Sequence, residues 1–322
     1  MRPVRQNDKT GANGAGARWA VGVLALALLP SGCAGTGSAA SGADSAKPAH
    51  APVHAPAHAP QAGLRTGPAG ALAAYAARLG RTQVRRAAVA RRWGLVTVPL
   101  TPPAPPARKP HIEARKGFEV DGQEELRLPP VFTTVPTKDK VVFLTVDDGA
   151  EKDPAFLRMM SDLKIPYTAF LSDFLVEDDY GYFRKMRDRG VTLDNHTLTH
   201  PYLPGLSYER QKHEICGMQD VMEKEFGRRP AVFRPPYGNY DQDTLRAAKA
   251  CGIRYAPIWN EEVFADHWEY REEDRDLHPG DIVLTHFQGR KEWKGTMPDM
   301  VRRFLRTVTA KGYAVARLED YL

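Results

Sequence analysis

From residue 118 onward, short apolar runs alternate with segments of helical periodicity. "VVFLTV" (141–146) precedes "PAFLRMMSDLK", and "PYTAFLSDFL" precedes "DYGYFRKMRDRG". "VTLDNHT" leads into "SYERQKHEICGMQDVMEKEFG", and "AVFRPPYG" into "DTLRAAKACG". "RYAPIW" and "DIVLTHF" follow, then a last helix "TMPDMVRRFLRTVTAKG" and a last strand "YAVARL". Asp153-Pro154 supplies an N-cap and a first-turn proline, while Gly227, Gly252 and Gly312 stand where helices should stop. Strands alternating with helices predict parallel pairing, in an open sheet or a closed barrel. In barrels the chemistry gathers at the C-terminal ends of the strands.

The first 117 residues have a different texture. Arg2, Arg5, Lys9 and Arg18 precede the apolar stretch "WAVGVLALALL" (19–29) and then "PSGC". A positive start, a short apolar run and small residues form an export signal, too short to span a bilayer comfortably. Cys33 after Ser31-Gly32 resembles a bacterial lipobox, whose cysteine is lipidated and anchors the mature chain to the membrane; the alternative is a plain secretory signal. Residues 34–68 are Ala, Gly, Ser, Pro and His, a composition that cannot bury a core and predicts a disordered tether. His50, His54 and His58 recur every four residues there, but a disordered metal site would have to overcome its ordering entropy, so a spacer is the simpler reading. Residues 71–92 predict a basic helix, and "PLTPPAPPARKP" (99–110) a second, stiffer linker. The expected organisation is a leader over 1–33, a linker over 34–117 and a catalytic domain over 118–322.

Charge follows the same division. The chain of 322 residues carries a formal +6. Residues 1–120 hold 16 Lys/Arg against 4 Asp/Glu, and the remainder 29 against 35. The basic pI of about 9.1 therefore belongs to leader and linker. Without an aromatic-interleaved basic motif, nothing points to nucleic acid.

Several predicted strands end in residues suited to chemistry. "VVFLTV" ends in Asp147-Asp148-Gly149, "VTLDN" in "HTLTH" with His196 and His200, "AVF" in "RPPYG" from Arg234 to Gly238, and "DIVLT" in His286. Each alone is explained by an ordinary turn; four on one barrel face are not. His196 and His200, taken as one helical turn apart, can present two imidazoles to one ion. A carboxylate from the aspartate pair makes a third ligand and leaves a position open, as catalytic zinc sites require. Because successive strand residues point to opposite sides, the other aspartate is free to act as a base. Gly149 is expected to turn the chain and leave room for substrate.

With those residues in place, the chain from about 138 to 322 resembles the polysaccharide deacetylases of carbohydrate esterase family four, the NodB-homology domain. "TVDDG" is similar to T-F-D-D-G with Val146 for Phe, "HTLTH" to H-[ST]-x-x-H, "RPPYG" to R-x-P-Y, and "IVLTH" to the final Leu-x-His. The resemblance implies an α/β fold, a distorted (β/α) barrel of fewer than eight regular repeats, and a divalent metal, commonly Zn or Co. It implies Asp147 as general base, Asp148, His196 and His200 as metal ligands, and Arg234 as the residue orienting Asp147. It further implies the Tyr237 backbone N–H as oxyanion donor and His286 as the acid for the departing amine. The family's fourth motif, near D-x-x-D-W, departs here to "APIWNEEVFADHWEY". Asp266 is the candidate partner of His286, with Glu262 second.

The implied activity is hydrolysis of N-acetyl groups on a β-linked amino-sugar polymer such as peptidoglycan, at the bacterial cell surface. An amide or imide hydrolase and a xylan O-deacetylase would share the machinery. A non-catalytic wall-binding lipoprotein would need neither Asp147 nor His286. Cys216 and Cys251, on consecutive helical segments of an exported chain, are either disulfide-bonded or two buried thiols.

Overall fold

The computed structural model describes residues 68–322. The leader, Cys33 and the histidines at 50, 54 and 58 lie outside the described residues. Helix α1 (Pro68–Arg92) ends in Arg91 and Arg92, cations placed at the negative end of the helix dipole. Its Leu72, Tyr75 and Leu79 are exposed, whereas Ala90 and the following Leu95 are buried in the main core. The Trp93 indole donates to Asp162 at 2.9 Å. The Pro-rich stretch expected to be a spacer lies along the domain rather than away from it. Leu100 bridges Ala314, Lys109 donates to the Glu319 and Leu322 carbonyls, and Ile112 is buried.

The strands are β1 (Val131–Phe132), β2 (Val141–Asp148), β3 (Thr168–Leu171), β4 (Thr192–Asn195), β5 (Ala256–Pro257), β6 (Glu261–Val263), β7 (Trp268–Tyr270), β8 (Ile282–His286) and β9 (Ala314–Val315). Between them run α2 (Pro154–Leu163), α3 (Asp173–Val176), α4 (Tyr180–Asp188), α5 (Tyr208–Phe226), α6 (Gln242–Ala250) and α7 (Met297–Ala310). The main sheet has the order β4-β3-β2-β8-β6-β7, with β9 against the start of β2. All its pairings are parallel except the β6–β7 hairpin. A second, two-stranded sheet joins β1 and β5 in parallel. Single-residue bridges, Asn195 to Phe233, Val232 to Tyr255 and Thr134 to Asp281, link the two sheets. Fold class and parallel alternation are as expected; the β6–β7 hairpin inside the altered fourth motif is new.

Strand β2 lies at the centre of this arrangement and is buried along nearly its whole length, as parallel strands covered on both faces are. Val142, Leu144 and Val146 join the core that includes the helices α2 and α7. Val141 and Phe143 join a second cluster with Ile258, Ile282 and Tyr321. By alternation, Thr145 and Asp147 lie on that same inner side, so the strand turns polar toward its C-terminal end.

The helices have local causes. Asp153 caps α2 by accepting from the Ala155 N–H, and Pro154 takes the first turn. On α7, Met297, Met300, Val301, Phe304, Leu305 and Val308 recur at helical spacing and are all buried. Truncating Phe304 to alanine would cost about 3–5 kcal/mol. Cys216 of α5 and Cys251 at the C-cap of α6 form a disulfide with a Cα–Cα separation of 5.0 Å. That decides the question the spacing left open.

Candidate active site

The site forms where β2, β4 and β8 end. Asp147 and His286 are register partners on adjacent strands. Alternation alone would turn Asp148 away from Asp147 toward the helices. Its φ of 82°, rare for a residue with a side chain, breaks the alternation. Its Oδ1 consequently lies 3.4 Å from His200 Nε2 and 3.6 Å from His196 Nε2. Gly149 follows with φ 103°, and a Cβ there would stand 2.3 Å from Val176 Cγ1 and 3.1 Å from the Phe183 ring. The glycine is thus required by the core packed behind the turn. It does not clear space for substrate, as the sequence reading had it.

His196 and His200 belong to a tight loop and not to a helical turn: Thr197 and His200 both have positive φ, 74° and 54°. The loop is pinned from several sides. The Asn195 side chain accepts from the Thr197 N–H, the Thr197 hydroxyl from the His200 N–H, and Glu214 of α5 takes both the N–H and the hydroxyl of Thr199. Glu214 and Asn195 support the site although neither stands in a recognisable motif. The His196 Nδ1–H donates to the Arg234 carbonyl at 2.7 Å, which fixes the tautomer and leaves Nε2 free to ligate.

Arg234 is fully buried. Its Nη1 donates to Asp147 Oδ1 and Thr145 Oγ1, both at 2.8 Å, and its Nε to the Pro257 carbonyl at 3.0 Å. The guanidinium lies 4.3 Å from the Phe170 ring centroid, and the Trp259 ring is 5.8 Å away. Tyr237 has φ 60° and a half-exposed ring 4.6 Å from that of His200. Among the described residues its N–H makes no backbone hydrogen bond. Asp148, Thr197, His200 and Tyr237 together make up four of the seven positive-φ residues other than glycine among those described. Such strain concentrates where the surroundings over-determine a functional geometry.

His286 finds its partner in Glu262: Nδ1 stands 3.0 Å from Glu262 Oε1. Asp266, the partner expected from the sequence, lies elsewhere, paired with His267 at 2.7 Å and half-exposed. Register is the reason. Glu262 of β6 is the partner of Leu284 on β8, two residues before His286 and on the same face, whereas Asp266 lies beyond the strand, between β6 and β7.

Electrostatics sort these groups by task. Burial pushes Asp147 up to about 6, against the opposing pull of Arg234. Burial lowers His196 and His200 to about 4, so both imidazoles are neutral, the form that binds metal. Burial opposes protonation of His286 too, but Glu262 and, beyond it, Asp148 and Asp147 raise it to about 10. The ligand atoms of Asp148, His196 and His200 all lie within 4.8 Å of one another. Donors 2.0–2.1 Å from a tetrahedral ion stand about 3.3–3.5 Å apart, close to the 3.4 and 3.6 Å found here. Asp148 Oδ1 is moreover buried without a hydrogen-bond partner among the described residues. The three side chains fit a divalent cation.

Residues 134–256 match the polysaccharide deacetylase family. A protein of Streptomyces coelicolor, itself uncharacterized, is 41% identical over 213 residues, covering 66% of this chain and 85% of its own length. The peptidoglycan-N-acetylglucosamine deacetylase of Bacillus cereus is 26% identical over 197 residues, 58% of this chain and 91% of that one. Of the peptidoglycan-N-acetylmuramic acid deacetylase PdaC of Bacillus subtilis, 29% identical over 205 residues (59% of this chain), the alignment spans 41%. Among solved structures, a family 4 carbohydrate esterase from Bacillus anthracis has a similar fold, with a TM-score of 0.52 at 23% identity over 66% of this chain and 95% of that one. A Bacillus anthracis pseudoenzyme of the same family reaches 0.51 at 20%, over 60% and 69%, so the fold by itself does not decide activity. Sequence relatives, fold and the converging motif residues agree, and the chain belongs to the polysaccharide deacetylase family.

Proposed function

We propose that this polysaccharide deacetylase is metal-dependent and removes N-acetyl groups from peptidoglycan outside the cytoplasmic membrane. The observation that carries this reading is the convergence of Asp148, His196 and His200 beside two completed pairs, Asp147–Arg234 and Glu262–His286. A wall-binding protein without activity would have no use for either pair.

The residues divide the work. Asp148, His196 and His200 would hold a divalent ion, which would supply Lewis acidity to the acetyl carbonyl and to the attacking water; two nitrogens and one oxygen suit zinc, and the family resemblance adds cobalt. Asp147 accepts the water's proton, and Arg234 fixes the carboxylate in place for it. The Tyr237 N–H is the donor for the developing oxyanion. His286, held protonated by Glu262, gives its proton to the departing sugar nitrogen, without which an amine leaves poorly.

Support for peptidoglycan comes from the names of relatives: peptidoglycan deacetylases of Bacillus stand at 26–29% identity, beside chitooligosaccharide deacetylases of rhizobia at 25–28%. Export and a lipid anchor on Cys33 are part of the proposal on sequence grounds alone, and would hold the domain near the wall. Acetate release from purified wall tests the reading. It should disappear with a chelator and return with Zn²⁺ or Co²⁺. Release from chitooligosaccharide but not from wall would reassign the substrate, and full activity in a metal-free preparation would remove the metal.

A further inference from the structure

Below the catalytic face, at the entrance of β8, lies a second cluster of ligating side chains. Glu261 and Asp281, each 1% exposed, and the half-buried His278 bring one donor atom apiece within 4.8 Å of one another. Asp281 precedes His286 by five residues of extended chain, which separates this cluster from the catalytic histidine by about 16 Å.

The two carboxylates lack the counter-charge that buried acids need. Among the described residues, no lysine or arginine forms an ion pair with either; His278 alone pairs with Asp281. Arg115, the guanidinium beside them, is spent on Thr133, Asn260 and Glu272. Neutral donors serve the rest: the Asn260 amide reaches Glu261 Oε1 at 3.0 Å, the Thr134 hydroxyl reaches Asp281 Oδ1 at 3.0 Å, and the His278 N–H reaches Asp281 Oδ2 at 2.6 Å. Glu261 Oε2 remains buried with no partner. Two buried carboxylates side by side, one of whose oxygens has no partner, call for a proton or a cation.

The histidine indicates which. His278 Nδ1 stands 3.3 Å from Asp281 Oδ2, the separation of two donors around one tetrahedral ion, about 3.3–3.5 Å. The other ring nitrogen, Nε2, lies 3.1 Å from Asp274 Oδ2. A carboxylate behind an imidazole is the arrangement that orients metal-ligating histidines. His278 and Asp281 also line a cavity of about 740 Å³ whose other charged walls are Glu113, Glu272, Glu273, Asp274 and the lone Arg115. That acidic mouth concentrates cations.

We propose that Glu261, His278 and Asp281 form a second divalent-cation site, separate from the catalytic one and structural in role. An imidazole among the donors favours a first-row ion of the zinc class over calcium, which takes oxygen donors. The ion would tie β6 to the entrance of β8. Since Glu262 follows Glu261 on β6, it would also hold the register in which Glu262 meets His286.

The test is ion stoichiometry on the full chain after chelation and titration with Zn²⁺, by elemental analysis. The histidines at 50, 54 and 58 contribute equally to every sample, so differences between variants decide. The native chain should bind one ion more than H278A, and the double variant D148N/H200A should still bind that ion. E261Q is isosteric with a protonated acid. It should lose the ion or bind it at least tenfold more weakly, whereas unchanged binding would mean that the carboxylates share only a proton and would overturn the site. Should E261Q fail to fold, H278A alters only a half-exposed side chain, and equal ion counts in it and the native chain would overturn the proposal alone. The melting temperature of D148N/H200A should rise with added Zn²⁺, and H278A introduced into that background should abolish the rise.

Discussion

Glu262 Oε1 stands 3.0 Å from His286 Nδ1, and this contact keeps the histidine charged. Replacing Glu262 by Gln removes the anion. The His286 pKa should then fall, and the acid form should be lost at a lower pH. In the pH profile of kcat, the basic limb should move toward acid, and turnover near neutrality should drop by about 10²-fold. D266A should stay within about twofold of the native rate, because Asp266 pairs with His267 away from the site. An unmoved basic limb in E262Q would show that the pair is not what holds the proton.

The adjacent aspartates should separate cleanly. D148N exchanges an anionic ligand for a neutral one, so metal content and activity should fall together. D147N should retain metal yet lose about 10²–10⁴-fold in turnover for want of a base. Excess metal should partly rescue D148N and leave D147N unrescued. Metal content and rate, measured on the same samples, check this; loss of metal from D147N with retention in D148N would reverse the two roles.

Arg234 and Asp147 are both buried and joined at 2.8 Å. R234A strands a buried carboxylate and should cost about 3–5 kcal/mol in urea unfolding. The double variant R234A/D147N should cost less than the two single variants added, because the second change removes the stranded charge. Simple additivity would mean that the pair is not coupled.

Asp299 completes the capping box of α7, accepting from the Thr296 N–H and hydroxyl and pairing with Arg302. Chiefly the Thr296 hydroxyl bond holds its carboxyl down at about 2. Since the folded value lies below the unfolded one, the contribution is present above the ordinary value of 3.8 and is lost as pH falls through about 2. D299A should lower stability by about 1 kcal/mol at pH 7. The gap to the native chain should narrow between pH 4 and pH 2.5, as followed by circular dichroism.

Local patterns foretold much of this molecule. The apolar run of β2, the caps at Asp153 and Gly227 and the alternation of strand and helix are properties of neighbouring residues, and each was readable from spacing alone. Asp147, Asp148, His196, His200 and His286 stand out from their places at or just beyond strand ends, whereas the parts of Arg234 and Tyr237 came only from the family resemblance, and the turn shape expected for His196 and His200 was wrong. What the tertiary structure decided depends on residues far apart in sequence. Glu262 and Asp266 are both plausible partners for His286 until the register of β6 against β8 puts Glu262 on its face. The loop of His196 and His200 takes its shape from Glu214, which reaches it from α5. The Cys216–Cys251 bond needed the packing of α5 against α6. Glu261 on β6 meets His278 and Asp281, three residues apart before β8, only through the pairing of β6 with β8. Periodicity reports which way a side chain faces along its own element. Which other element it then meets is set by strand register and helix packing, and those are determined only when the whole core closes.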